Sequence, residues 1–499
     1  MLISGKTALG TGHVTRSYLN WNLRRHGVSI ERIRRDRVLH EALTARADSA
    51  RDGRHAACAD GRGQRLSSGM AGRCWENPDM APVDVAGLID ALAARAHWPY
   101  GAVAGVMNEA PEVLPDLLHA GVARLSRSST AIDAVIGLVD ADVLRAEASH
   151  GIAVLAAGAD PRHSQAASLI AYVSLQDPHR LAGDLDLLWD LGVNHGAYYE
   201  SWPWRAATDP ALQEHLVRLM GSADAAAARR ARACLLQTRD PGLLRRAAAD
   251  AAPGPLPWVL DLRAVAWDFD GKRLIRLAPA ATYHLRFPSG FLRPFRWAGA
   301  SQPIPHPTWQ LPADPGMPAA FGGLAAGSCP GCGGQLHRLL HLPVIPAGLG
   351  VSSCRALELA TCLTCLGWAI STIFFRHGSD GHIIAAIGER DTNTGFVLRP
   401  GPLPAAQVSL TATPPRWDQQ DWALSNNREN LNRIGGEPTW IQDPGYPQCP
   451  VCQRRMHFLA QLDSLDFADG SQWLWGSGGI AYILWCDPCR MSATLWQCT

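Results

Sequence analysis

The spacing of apolar residues changes character part way along the chain. From residue 76 to 252 apolar positions recur at helical intervals, as in VAGLIDALAARA, EVLPDLLHAGVARL, AASLIAYVSL and AAAARRARACLLQTRDPGLLRRAAADAA. Asp-Pro steps punctuate these segments at Asp160-Pro161, Asp177-Pro178, Asp209-Pro210 and Asp240-Pro241. Aspartate accepts a hydrogen bond at an N-cap and proline fits the first helical turn, so each step predicts a helix start. Short helices broken this way predict an α-helical, HEAT-like solenoid over 76–252, with a compact helical domain as the alternative. The insertion Tyr198-Tyr199-Glu200-Ser201-Trp202-Pro203-Trp204 reads either as a loop of aromatic anchors or as a buried corner between helices.

The proline- and glycine-rich stretch Asp250 to Pro257 reads as a linker. Beyond it come short runs rich in β-branched and aromatic residues, such as WVLDLRAVAW, KRLIRL, ATYHLRF and ISTIFF, separated by Gly/Pro turns. Residues 255–499 therefore predict a β-rich domain, and the chain as a whole a multidomain α + β protein.

This second region carries one cysteine pattern twice. Cys329-Pro-Gly-Cys332 is followed by Cys362-Leu-Thr-Cys365, and Cys449-Pro-Val-Cys452 by Cys486-Asp-Pro-Cys489. Two residues between cysteines let a tight turn aim both sulfurs at one ion, and two such turns close a tetrahedral shell. The eight cysteines predict two structural zinc ions, with one degenerate site or an iron centre as the alternatives. The duplication extends further, over about 300–375 and 430–495. His306-Pro-Thr-Trp309 precedes the first copy and Glu437-Pro-Thr-Trp440 the second. His337 matches His457, Leu339 matches Leu459, and Leu342 matches Leu462. Gly333 after the first knuckle permits a sharp turn, which Gln453 must make without glycine. The matching histidines read as core or supporting groups rather than ligands. His341 and Cys354, present in the first copy only, are left without a role.

Residues 432–442, Asn-Arg-Ile-Gly-Gly-Glu-Pro-Thr-Trp-Ile-Gln, resemble the entry motif of the bacterial YwqG-like family and the opening of the eukaryotic programmed-cell-death-protein-two family. The likeness continues through Cys449, Cys452, Gln461, Asp463, Trp475-Gly476 and the strand IAYILW. It is specific over about 430–490, weaker over 255–400 and absent before 250. It implies a β-rich fold with duplicated halves. For the eukaryotic relatives it implies zinc and a chaperone-like hold on a ribosomal protein, whereas many YwqG-like members lack the cysteines.

The chain has 499 residues, room for about two to four domains. Its net charge of +1 gives no general drive toward nucleic acid or membrane. Charge is uneven, however: residues 1–75 hold 14 Lys+Arg against 6 Asp+Glu, a balance of +8. This leader, with Arg32, Arg34, Arg35 and Arg37, faintly resembles the tail of a phage-type integrase and reads as a nucleic-acid arm or a partly disordered segment. The first residues lack the apolar core of a secretion signal, no apolar run approaches the ~20 residues of a membrane helix, and paired CxxC spacing suits reduced thiolates. A cytoplasmic protein is predicted. Cys58, Cys74, Cys234, Cys354 and Cys498 read as small buried or free thiols.

Two motifs imitate enzymes. Ser4-Gly5-Lys6-Thr7 lacks the first glycine of a phosphate-binding loop. Asp268-Phe-Asp270-Gly271 imitates the nucleophile motif of haloacid-dehalogenase-like phosphatases, but Lys272-Arg-Leu-Ile-Arg276 reads as a strand after a hairpin turn. Asp463, Asp466 and Asp469 lack calcium-loop spacing. No nucleophile, base and oxyanion set emerges, so a protein-binding adaptor or chaperone-like protein is expected ahead of an enzyme. A pocket between the duplicated halves, lined by Trp417, Trp422, Trp440, Trp473 and Trp475, would instead make a small-ligand binder or enzyme. A nucleic-acid binder acting through residues 1–75 is the third class.

Overall fold

Apolar stripes at three- and four-residue spacing produce α1 (Val85–Ala93), α2 (Pro99–Glu109), α3 (Leu114–Arg124), α4 (Thr130–Leu138), α5 (Ala141–Ala156), α6 (Gln165–Gln176), α7 (Leu185–Leu191), α8 (Pro210–Met220), α9 (Ala225–Gln237) and α10 (Pro241–Ala249). The computed structural model describes residues 83–94, 99–195, 200–249, 262–270, 272–297, 300–312, 316–367, 370–388 and 401–498. The basic leader 1–75, the linker 250–257, Ser4-Gly5-Lys6-Thr7, Cys58 and Cys74 lie outside them. No helix among the described residues is long and apolar enough to cross a membrane.

Asp209 and Asp240 cap α8 and α10 as expected, accepting from the backbone N–H of Ala211, and of Gly242 and Leu243. The other two Asp-Pro steps differ. Asp160 closes a turn onto the Arg162 N–H, and Ser164 caps α6 in its place. Asp177 ends α6 and leads into the 3-10 turn Pro178–Asp184 without a side-chain cap. Helix α6 is buried almost all round, packed on α3, α4 and α5, which explains its run of small and aliphatic residues. The 3-10 turn Trp202–Ala206 forms a buried corner, with Trp204 set edge-on against Trp189 at 6.3 Å. Tyr198 and Tyr199 lie outside the described residues.

The strands are β1 (Trp267–Phe269), β2 (Leu274–Arg276), β3 (Thr282–Arg286), β4 (Met317–Phe321), β5 (Leu324–Ser328), β6 (Gln335–Leu342), β7 (Leu357–Thr361), β8 (Ile373–His377), β9 (Ile383–Ile387), β10 (Ala406–Ala412), β11 (Arg433–Gly435), β12 (His457–Asp463), β13 (Leu465–Asp466), β14 (Gln472–Trp473), β15 (Ile480–Cys486) and β16 (Met491–Gln497). Among the described residues twelve join one antiparallel sheet in the order β5-β6-β4-β10-β3-β11-β12-β15-β16-β8-β9, with β7 on the free side of β6. The sheet curls nearly into a barrel: β5 meets β9, and Thr494 Oγ1 of β16 donates to Ala360 O of β7 at 3.0 Å. The segment WVLDLRAVAW reads as a strand but is one only from Trp267. Leu262–Ala264 make a helical turn closed by Val265 N–H to Leu262 O, and residues 258–261 lie outside the described set. β1 and β2 form the expected hairpin, where Asp270 accepts from the Lys272 and Arg273 N–H groups. Asp268 is paired with Arg263 and Arg455.

The duplication is visible in the backbone. Hairpins β6–β7 and β12–β15 carry the same irregularity at matching places, between Arg338 and Leu340 and between Phe458 and Ala460. Leu339, Leu342, Leu459 and Leu462 meet in one core. The copies then diverge. β16 returns beside its own β15, whereas β8 of the first copy pairs with β16 of the second, Ile373 opposite Thr494 and Arg376 opposite Met491.

Residues from Val85 to Cys498 cluster as one unit, and two arginines join its helices to its sheet region. Arg416, following β10, donates to Ile136 O at 2.8 Å, Val139 O at 2.7 Å and Gln176 Oε1 at 2.7 Å. It thereby caps the C-terminal carbonyls of α4 with a cation, where the helix dipole favours one. Arg239 forks onto Glu437 through Nε–Oε1 at 2.7 Å and Nη2–Oε2 at 2.6 Å. Burial pushes the Glu437 carboxyl up, but the Arg239 charge and hydrogen bonds outweigh it and hold the carboxyl below its ordinary value of 4.5. A depressed folded pKa stabilises the fold above the unfolded value, and that contribution is lost as pH falls through the folded one. Replacing Glu437 by Gln should cost about 3–5 kcal/mol at pH 7, the penalty for orphaning a buried partner. Denaturant unfolding at neutral pH and again well below pH 4.5 should show the loss shrinking in acid. Equal losses at both would contradict the pairing.

Candidate metal centres

Each CxxC turn is shaped by its backbone. In the first knuckle Cys329 N–H donates to Gly334 O at 2.7 Å, and Gly333 N–H to Cys329 O at 2.9 Å. In the second, Cys449 N–H donates to Arg454 O at 2.8 Å, and Gln453 N–H to Cys449 O at 2.9 Å. The two turns are therefore the same, and both need a left-handed residue after the second cysteine. Gly333 has φ +71° and Gln453 φ +59°, so the glutamine adopts the conformation glycine would supply freely. Its amide donates back to Pro450 O at 3.2 Å. The closing cysteines come from the far end of each hairpin: Cys362 and Cys365 follow β7, and Cys486 and Cys489 end β15 and its 3-10 turn.

Cys329, Cys332, Cys362 and Cys365 converge with their sulfurs within 4.8 Å of one another, as do Cys449, Cys452, Cys486 and Cys489. Cys332 Sγ lies 3.7 Å from Cys362 Sγ, and Cys452 Sγ lies 3.6 Å from Cys486 Sγ. A tetrahedral ion with about 2.3 Å metal–sulfur bonds places its sulfurs about 3.8 Å apart. A disulfide needs about 2.0 Å, and none of the described cysteines is paired in one. The donor sets thus fit a closed four-thiolate shell. The electrostatics agree. A hydrogen bond from Cys362 brings the Cys329 thiol down to about 5, and hydrogen bonding to Cys329, then burial, drives Cys362 up. Burial likewise pushes Cys365 up to about 12 and Cys489 up to about 11. Four such thiols ionise together only beside a cation.

The neighbouring groups have other tasks. His337 is buried and accepts from Leu363 N–H through Nδ1, holding the Cys362 turn. His457 at the matching position is exposed. His341 stacks on His382 at 6.2 Å, and Cys354 donates to Gly378 O. Cys234 sits in the helical core. Residues 432–442 and their neighbours form a buried polar network. Arg433 donates to Asp418 O, Glu437 O and Thr439 Oγ1. Gln461 accepts from Thr439 N–H and donates to Leu431 O. Asp463 accepts from Asn426 and Ser464 N–H.

The five tryptophans expected to line one pocket are dispersed. Trp417 is buried beside His306, and Trp440 packs on Tyr482 and Tyr446. Trp422 packs against the second sheet core. Trp473 and Trp475 line a cleft of ≈ 240 Å³ with Trp496, Leu363, Leu366 and Leu474, close to the first cysteine centre. A third convergence of ligand-type side chains, His119 with Glu147 and His150, escaped the sequence reading. Its local signal was Glu-x-x-His within the helical segment of α5.

One relative, a protein of Salmonella typhimurium named uncharacterized protein YpfL, is 29% identical over 206 residues. The match covers 37% of this chain, which spans 43% of that relative's length. No family model matches, and no solved structure does.

Gly333 has open space where a Cβ would stand, so its substitution reads backbone conformation without packing. Gly333→Ala should lower stability by about 1 kcal/mol, and Gln453→Gly should raise it by about 0.5–1 kcal/mol. Chemical denaturation of both variants checks the pair, and a destabilised Gln453→Gly would contradict the shared turn.

Proposed function

We propose that this is a zinc-binding protein whose two structural Zn(Cys)4 centres brace a protein-binding surface, an adaptor or chaperone-like binder rather than an enzyme. The observation that carries it is the sulfur geometry, 3.7 and 3.6 Å in two equivalent four-cysteine groups. Four thiolates fill a tetrahedral zinc and leave no position for a substrate. The Trp473–Trp475–Trp496 cleft supplies the surface. At ≈ 240 Å³ it falls below the roughly 300–1,000 Å³ of small-molecule pockets and suits an inserted side chain. Its walls are fixed: Trp475 Nε1 donates to Asp463 O and Trp496 Nε1 to Leu366 O. Trp473 Nε1 is buried without a partner within the fold, so its ring meets the cleft through its apolar face. Exposed Leu474 adds an apolar rim. Aromatic side chains of this kind dominate protein interfaces. The YwqG-like and programmed-cell-death-protein-two resemblance, carried by residues 432–442, supports duplicated halves and a chaperone-like role by fold-level analogy. The HEAT-like reading of the helices belongs to the same proposal and would add a second binding face.

Replacing Cys449 and Cys486 by Ser should remove one zinc equivalent and unfold the sheet, seen as loss of cooperative melting. Capture of partners by the intact protein tests the surface. A stoichiometric protein partner, lost with Trp473→Ala while zinc content and melting hold, is the expected result. Equal capture by both proteins, or saturable stabilisation by a metabolite in place of a partner, would overturn the binding surface.

A further inference from the structure

We infer that the helical half holds a third metal site, distinct in chemistry from the cysteine centres: an open divalent transition-ion site formed by His119, Glu147 and His150. Glu147 and His150 stand three residues apart on α5 and share one face. His119 lies on α3, which packs against α5. One ligand atom from each residue lies within 4.8 Å of the others. His119 Nδ1 is 3.0 Å from Glu147 Oε1; the two imidazoles stack at 4.1 Å with 22° between planes, so one ring must rotate for both to aim a nitrogen at one ion. Nitrogen and oxygen ligands at about 2.0–2.1 Å from a tetrahedral ion stand about 3.3 Å apart, so one edge of the shell is already in place.

The burial pattern points to a ligand. Glu147 is 8% exposed, yet its Oε2 has no hydrogen-bond partner, and neither does the buried His150 Nε2. An ion pair between His119 and Glu147 satisfies Oε1 and leaves both of these atoms orphaned. A cation satisfies all three side chains together. His119 is exposed, with 56% of its side chain accessible, so an ion reaches the site from solvent and water takes the remaining position. Two imidazoles and one carboxylate suit Zn²⁺ or Co²⁺ better than Ca²⁺ or Mg²⁺, which take oxygen shells. Three protein ligands leave a position open to water, unlike the closed thiolate shells.

The test is titration of the intact protein, its cysteine-bound metal retained, with Co²⁺ followed by calorimetry and visible absorption. The expected result is one further equivalent, with weak ligand-field bands and no sulfur charge-transfer band, absent in His119→Ala and in His150→Ala. His119 is exposed, so its variant reports on the site without a folding defect, checked by circular dichroism. No uptake beyond the cysteine-bound ions, or equal uptake by His119→Ala, would overturn the assignment.

Discussion

Crowded thiols are the constraint on which this structure turns. Each hairpin brings two CxxC turns so close that sulfurs from opposite ends stand 3.6–3.7 Å apart. Without a positive charge such a group works against itself: one thiolate forms readily, as at Cys329, and its neighbours are driven up. A divalent cation reverses the sign of the interaction and turns the repulsion into a clamp. Such a clamp would join the start of β6 to the end of β7, and the start of β12 to the end of β15, and so hold both hairpins closed.

The centres also sit where the copies interlock. Asp487, inside the last CxxC turn, accepts from the backbone and hydroxyls of Ser352 and Ser353 in the first copy. His377 of β8 reaches Ser492 of β16 at 2.8 Å, beside the strand pairing that carries the first copy onto the second. Loosening one centre thus disturbs contacts of both halves. The helices are tied to the same framework through Arg416 at the end of α4 and through Arg239 on Glu437. Glu437 stands two residues before Thr439, which anchors Arg433 and Gln461. Residues 432–442 thus act as a structural hub, with their polar groups spent on holding the chain.

Much of this was legible in the sequence because the relevant physics is local. CxxC spacing, the Asp270-Gly271 hairpin, the helix caps at Asp209 and Asp240 and the leucines shared by both copies all act over a few residues. The strand exchange between β8 and β16 was not legible, since local pattern selects a strand but not its neighbour. β15 is buried at every position, so its continuous apolar run gives no face to read. The equal positions of His337 and His457 suggested equal roles, yet one turns inward onto a knuckle N–H and the other stays exposed. The His119–Glu147 contact spans 28 residues between two helices and is visible only once they pack.

The most direct test of the central claim is zinc K-edge X-ray absorption on the purified protein after dialysis against a weak chelator, read together with its zinc content. The account predicts two zinc ions per chain, each surrounded by four sulfurs at about 2.3 Å. A shell dominated by nitrogen or oxygen, or a metal-free protein that still melts cooperatively at the same temperature, would contradict it.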